Sequence, residues 1–499
     1  MNATPSTGTP ASNATASFPE TVDTATAARF VQAHFGQANV GHKARRKALL
    51  RAAERICRHP GGTLPNKFGS PKDYHSMDRL MNRPEVTHVS VLQAHLQHTR
   101  QQMEATEDVV LVLHDTTELD YTGLKSIKDL GPIGNGGGRG YLCHNSLAVV
   151  PARKEVLGLA HQILHTRRQV PKKEKLKHKR ASKERESRLW SDAVKALGPV
   201  PEGKRWVDVA DRGADIFEFL ATEDDLGRAC LVRATHNRNI LTGHEGEGSP
   251  GKLFDHLRSL PAAATQRSKK VFDEKSGEER VAALAIRYAP VRVCPPHVRR
   301  GEYKPRPLAV WGVRVSEVNP PKNCHAVEWM LLSNREVASA ESAWEKSDWY
   351  GCRPMVEEYH KCQKTGCQIE DLQFETSGAL QPMIALLSVV AVMLLQLREA
   401  FRRADAETRP ATEVVDPICE EVLREWRYQG RSDGEMTVKQ FYLAVARLGG
   451  HMNRKRDGAP GWLVLWRGWM KLQSMVDGVE AERRRQKRRE KQSQFRGES

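Results

Sequence analysis

Long apolar runs are scarce in this chain, and acids are scarce relative to bases. The one extended apolar stretch, Met383 to Leu395, falls short of the roughly 20 residues a membrane span requires, so it reads as a buried helix and no membrane partner is expected. A charged segment leading into an apolar core is missing from the first residues; no secretory signal is expected, and a cytoplasmic location follows. The nine cysteines contain no Cys-x-x-Cys pair, which excludes a paired zinc ribbon and a secreted disulfide framework and favours reduced thiols. His360, Cys362 and Cys367 are close in sequence, but zinc would need further ligands that the neighbouring sequence does not supply. The glycine-rich segment from Gly131 to Gly140 has no Lys-Ser or Lys-Thr to grip a phosphate, so it reads as a flexible strand connection and not as a nucleotide loop.

What is abundant is positive charge. With 78 Lys plus Arg against 61 Asp plus Glu, the net charge is +17, which implies an extended polyanionic partner, nucleic acid before membrane surface. A chain of 499 residues predicts two or three domains. Residues 1–26 are rich in Thr, Ala, Ser and Pro and are expected to be disordered. Residues 27–88 read as a helical domain, with Phe30, Val31, Phe35, Leu49, Leu50 and Ile56 for its core. Its other face is basic: Lys43, Arg45, Arg46, Lys47, Arg51, Arg55 and Arg58 suit a helix laid on phosphates or in a major groove, against the plainer alternative of a solvated helix.

From residue 89 the pattern becomes α/β. Asp108 to Thr117 reads as a buried strand with Asp115 at its C-terminal end, where an α/β fold places chemistry, although a turn or helix cap is the ordinary alternative. Tyr141 to Val150 and Glu155 to Leu164 read as two strands antiparallel to the first. The charged stretch Arg167 to Arg188 is either a solvated helix or a DNA-facing surface. Arg205 to Ala210 is a further strand with Asp211 at its edge, Asp208 inside it and Asp215 opening the next helix. Cys230 to Arg233 ends another. An inserted β-domain at about 239–335 has strands around Val271, Val281 to Ala289 and Leu308 to Val315, a basic loop at 297–307, and a last strand that begins near Trp329. A strand tryptophan is most often core.

Tyr350, Arg353, Glu357, Lys361 and Lys364 are spaced three, four, four and three apart, which puts them on one helical face. Pro354 weakens a helix through Arg353, so the helix could instead start at Pro354. Glu358 lies about 100° round the helix and should point away. The order Tyr, two residues, Arg, three residues, Glu, six residues, Lys resembles the signature of bacterial transposases of insertion-sequence family four. Asp115-Thr-Thr and Asp211-Arg-Gly-Ala-Asp215 resemble the first and second motifs of that family, and Gly41-His42-Lys43-Ala44-Arg45-Arg46 resembles its end-recognition helix, with His42 where relatives often have Asp.

The resemblance implies a ribonuclease-H-like catalytic core at 89–376 carrying the β insertion, flanked by helical N- and C-terminal domains. It implies Asp115, Asp211 and Glu357 as catalytic residues holding two Mg²⁺ ions, with Mn²⁺ as a substitute; hard carboxylate oxygens suit such ions. It places Arg45, Arg46, Arg233, Trp329, Tyr350, Arg353, Lys361 and Lys364 against double-stranded DNA, with Trp329 stacking on a flipped base. The implied steps are a nick, a hairpin on the transposon end, its opening, and strand transfer into target DNA. A related nuclease or recombinase, and a non-cutting DNA-binding descendant, are the rival functions. Residues 377–480 read as a helical C-terminal domain which, by the same resemblance, forms a homodimer. There Trp462, Trp466 and Trp469 share a face, serving either a core or a subunit interface. Residues 481–499 form a basic tail expected to be disordered alone.

Overall fold

A computed structural model of the chain describes residues 27–135, 137–168, 185–273, 278–296, 303, 305–431, 434–454 and 457–497. The expected disorder at 1–26, most of the 167–188 stretch and most of the 297–307 loop fall outside these residues. The chain is a mixed α/β protein built on one large mixed sheet.

Five helices come first: α1 (Ala27–Phe35), α2 (Lys43–Arg58), α3 (Leu64–Phe68), α4 (Pro71–Met81) and α5 (His88–Ala105). Their apolar faces do not close on each other alone, because Phe30, Phe35, Leu49 and Ile56 belong to the same buried cluster as the sheet. Then come β1 (Val110–Asp120), β2 (Gly131–Ile133), β3 (Gly138–Val150), β4 (Glu155–His165), α6 (Leu189–Leu197), β5 (Trp206–Ala210), α7 (Phe217–Asp225) and β6 (Ala229–Arg233). β1 pairs antiparallel with β3 and parallel with β5, and β5 pairs parallel with β6. The antiparallel trio β1, β3, β4 agrees with the sequence reading. The glycine-rich segment does not form a free connection: Gly131–Ile133 pairs with Gly138–Gly140.

The insertion contributes β7 (Asn239–Thr242), β8 (Pro250–Lys252), α8 (Leu253–Ser259), β9 (Gln266–Asp273), β10 (Glu278–Val293), β11 (Leu308–Glu317) and β12 (Glu328–Ser333). Its strands fall where the sequence puts them, yet they do not make a separate sheet. β12 pairs with β6 through Leu331↔Arg233, Leu332↔Val232 and Ser333↔Leu231, so the order runs β2-β3-β1-β5-β6-β12-β11-β10-β7-β8, with β4 on β3 and β9 on β10. An exposed edge at β6 would leave its backbone donors unpaired, and the returning strand covers it.

After the sheet come α9 (Ala340–Tyr350), α10 (Pro354–Lys361), α11 (Ser377–Ala400), α12 (Pro417–Tyr428), α13 (Val438–Leu448) and α14 (Trp462–Gly497). α11 is longer than the apolar run that announces it. It is long and apolar enough to cross a membrane, but 89% of its apolar window is buried inside the protein, where it packs on α5 and β4. A helix that is apolar all round belongs in a core. α13 and α14 cross with their backbones nearly touching: a Cβ on Gly449 would lie 1.9 Å from the Val464 carbonyl oxygen, and one on Gly468 1.9 Å from that of Val445. Trp462 and Trp466 stack at 5.9 Å between ring centroids against the main core, and Trp469 packs against the C-terminal one. All three rings are half-buried, so part of their face packs within the chain and part stays open. The basic tail is helical through residue 497, contrary to expectation. Glu, Arg, Gln and Lys are strong helix formers, and Arg484–Glu480 at 3.2 Å supplies an i,i+4 pair.

Candidate active site

Asp115 lies in the middle of β1 and not at its end, because the strand continues beyond its parallel neighbour. The β1–β5 register stops at His114↔Ala210, so Asp115 and Asp211 are the next residues on two strands that part at that point. A carboxylate there faces the crevice at the C-terminal end of a parallel pair. Asp211 caps the short turn Arg212–Ala214, its Oδ1 accepting from Gly213 N at 2.8 Å. Gly213 is required, since a Cβ would meet Trp190 at 2.8 Å and Asp211 Oδ1 at 3.0 Å. Asp215 does not open a helix as the sequence suggests. It is buried at the end of that turn, accepts from Thr235 N at 2.7 Å and His236 N at 2.9 Å, and pairs with Arg238 at 2.8 Å.

The stretch from Tyr350 to Lys364 is two helices and a wider last turn, not one continuous face. α9 ends at Tyr350, a tight turn follows, and α10 starts at Pro354. Arg353 keeps helical angles, φ −52° and ψ −38°, in spite of the proline after it, because Arg353 N bonds to Tyr350 O at 3.0 Å and Val356 N to Arg353 O at 3.1 Å. Arg353 is the hub. Its Nη1 lies 3.4 Å from Asp115 Oδ2 and its Nη2 bonds to Glu357 Oε1. Glu358 points away, to Lys361 at 2.9 Å and to Arg398. Lys361 is thereby turned from Glu357, and Lys364, in the wider turn Cys362–Gly366, pairs with Glu370 at 3.0 Å.

Burial, together with repulsion from Asp211, raises the Asp115 carboxyl from 3.8 to about 6, against the attraction of Arg353. Beside it, burial and the cations of Lys364 and Arg353 push His360 down to about 3. Among the described residues no group of three His, Cys, Asp or Glu is close enough to hold a metal ion. The Arg353 guanidinium stands between Asp115 and Glu357 and pairs with both.

The expected DNA contacts form two further groups. Trp329 is half-buried on β12, edge-to-face with Tyr350 at 5.5 Å, with Lys269 Nζ 4.5 Å above its ring and Arg233 5.9 Å from that of Tyr350. Tyr350 itself is buried. On α2, Arg45 is paired with Glu85 at 3.0 Å and Arg46 is half-buried. Sequence reasoning missed Lys269, whose strand has no marker, and missed the polar residues beneath the acids. Of these, His114 bonds Asp208 at 2.9 Å, and Asp208 pairs with Arg228 at 2.7 Å, all fully buried.

No protein-family model matches the chain. In its overall path the chain is similar to the piggyBac transposase in a synaptic complex with hairpin DNA, over 90% of this chain and 78% of that one, at 10% sequence identity and a TM-score of 0.32. At that score the likeness carries nothing about site or chemistry.

Proposed function

We propose that the chain is a transposase of the Asp-Asp-Glu class, which cuts transposon ends and joins them to target DNA by phosphodiester hydrolysis and strand transfer through a hairpin, working as a homodimer. One observation carries this reading: Asp115 and Asp211 flank the point where β1 and β5 part, and Arg353 ties Asp115 to Glu357 across it. Five neighbouring strands of mixed direction, β4-β3-β1-β5-β6, with helices packed on them, support a ribonuclease-H-like core.

By their chemistry the three carboxylates suit divalent cations, although as placed they do not gather into a metal-holding group and Arg353 stands between two of them. Three carboxylates are hard ligands, and the Asp115 carboxyl is raised first by its burial and then by the neighbouring Asp211 carboxylate. Asp115, Asp211 and Glu357 would hold Mg²⁺, or Mn²⁺ in its place, which when bound supplies an activated oxygen nucleophile and stabilises the leaving oxygen. Arg353, Lys361 and Lys364 bind backbone phosphates, and a guanidinium drawn to a phosphate leaves the acids free. Trp329 offers a ring on which an unpaired base stacks, and Lys269 and Arg233 beside it add charge for the phosphate that follows. Arg45 and Arg46 hold the end duplex.

The test is cleavage of the DNA flanking the gene. Nicking in Mg²⁺ that is lost in Asp211→Ala and Glu357→Ala, with end binding kept and Glu358→Ala still active, is the expected result. Normal nicking by Glu357→Ala would refute the assignment. A second reading, an end-binding protein that does not cut, is favoured by the pairing of Arg353 with two of the acids, and predicts end binding with no nicking in either metal.

A further inference from the structure

α14 changes character along its length. Its first turns are anchored: Leu472 and Val476 are buried in the C-terminal cluster, and a Cβ on Gly61, in the loop after α2, would lie 3.0 Å from Trp466 and 3.1 Å from Met470. The same stretch is tied to the C-terminal end of α2, Glu480 pairing with Arg58 at 3.0 Å and Asp477 meeting His59 at 3.1 Å. Val476 is the last buried side chain among those described, and residues 481–490 are all exposed. The helix nevertheless runs on to Gly497, about 25 Å past Glu480 at about 1.5 Å per residue. Against Glu482 and Glu490, residues 481–490 hold Arg483, Arg484, Arg485, Lys487, Arg488 and Arg489. Arg483 pairs with Glu421 on α12, Arg484 with Glu480 at 3.2 Å and Arg485 with Glu482 at 3.8 Å. Lys487, Arg488 and Arg489 have no acidic partner among the described residues. Successive residues are about 100° apart, so these three cations point to three sides of the helix. Each stands four residues after another cation, a like-charge spacing that destabilises an isolated helix.

We propose that the free end of α14 is a DNA-binding arm that lies in the major groove of a duplex, with Lys487, Arg488 and Arg489 reaching phosphates on both walls. A helix seated on a membrane needs an apolar face, and residues 481–490 offer none. A flat anionic surface would meet one side of the helix and leave the other cations unused. The major groove is about 12 Å wide, admits an α-helix and has a phosphate backbone along each side, and continuous basic helices anchored at one end dock there. The root of the arm adjoins the basic face of α2, where Arg51, Arg55 and Arg58 line one cleft with Arg484. Such a seat needs a DNA duplex and no cutting chemistry, so it stands apart from the assignment of the acids.

The experiment is fluorescence anisotropy of a labelled duplex of arbitrary sequence, titrated with the full chain between about 50 and 200 mM KCl, because the phosphate contribution is independent of sequence. The variant is the triple substitution Lys487→Gln, Arg488→Gln, Arg489→Gln, which keeps strong helix formers on the exposed stretch. At about 0.9 per phosphate contact, three lost contacts should flatten the log–log salt slope by about 2.7. A chain ending at Glu480 should flatten it at least as much. Both should melt with wild type; if the shortened chain melts early, the triple variant decides, since it changes exposed side chains alone. A fall in slope of about two or more supports the groove seat, and a smaller one, as from a single row of contacts, overturns it. Tighter duplex binding by either variant also overturns it. Duplex binding by wild type with an unaltered slope in the variants refutes the arm alone, whereas a wild-type chain that binds no duplex refutes the arm and the transposase reading together.

Discussion

Replacing Asp115 by Asn should stabilise the metal-free protein while abolishing nicking. The folded carboxyl titrates at about 6 instead of 3.8, and at about 1.36 kcal/mol per pKa unit its ionised form costs the fold about 3 kcal/mol. The side chain is only 16% exposed, so solvent screening does not remove most of this. The attraction of Arg353 is already contained in that value. Asn has the shape of the protonated acid and keeps an oxygen for the Thr116 amide, so it should recover up to about 3 kcal/mol. Because the folded carboxyl holds its proton more tightly than the unfolded one, ionisation costs nothing below pH 3.8, progressively more up to pH of about 6, and the full amount above it. With an unfolding entropy of about 2.1 cal/mol/K per residue over 499 residues, the gain corresponds to roughly 3 °C in Tm. Scanning calorimetry in EDTA at pH 7.5 and pH 4 measures it: Asp115→Asn should melt higher at pH 7.5 and level with wild type at pH 4. Added Mg²⁺ should raise only the wild type, since a ligand stabilises the state that binds it. A variant that melts lower than wild type at pH 7.5 would refute the charge balance drawn for this site.

Trp329→Ala should lose about 1–3 kcal/mol of base stacking in hairpin formation or opening, with melting temperature and first nick nearly intact; a proportional fall of Tm and nicking returns the ring to the core. Removing Arg45 and Arg46 together should flatten the salt dependence of end binding, whose log–log slope is about 0.9 per phosphate contact; an unchanged slope excludes α2 as the contact. Asp208→Leu leaves Arg228 buried without its partner and should destabilise by about 3–5 kcal/mol, read as a lower urea midpoint with end binding lost in step.

The strands that carry the candidate acids were legible because β1, β5 and β6 are short apolar runs ending in acids or Arg. The full length of β1 was not: Glu118 to Asp120 lies beyond the apolar run, and pairing with β3 holds it extended. Alternation also marked β9 to β12 but says nothing about which sheet a strand joins, so the continuity through β6 was invisible. Pro354 announced the helix break, whereas the helical angles of Arg353 depend on backbone bonds that no single residue reveals. The Asn145–His360 contact joins residues 215 apart; the local trace is the polar run His144-Asn145-Ser146 inside a buried strand. The charged tail misled because composition alone counts its cations, not their spacing to Glu480 and Glu482.

The burial of α11 sets the grain at which the molecule can come apart. α2, α4, α5, β4 and α10 all contact that one helix, so none of them can lift away without exposing apolar surface on it. Amide hydrogens from the amino-terminal helices, the sheet and the acid-bearing helix should therefore exchange with solvent on a shared, slow timescale, as one foldon. Beyond α11, the cluster formed by α12, α13 and α14 has its own buried centre and is free to exchange earlier.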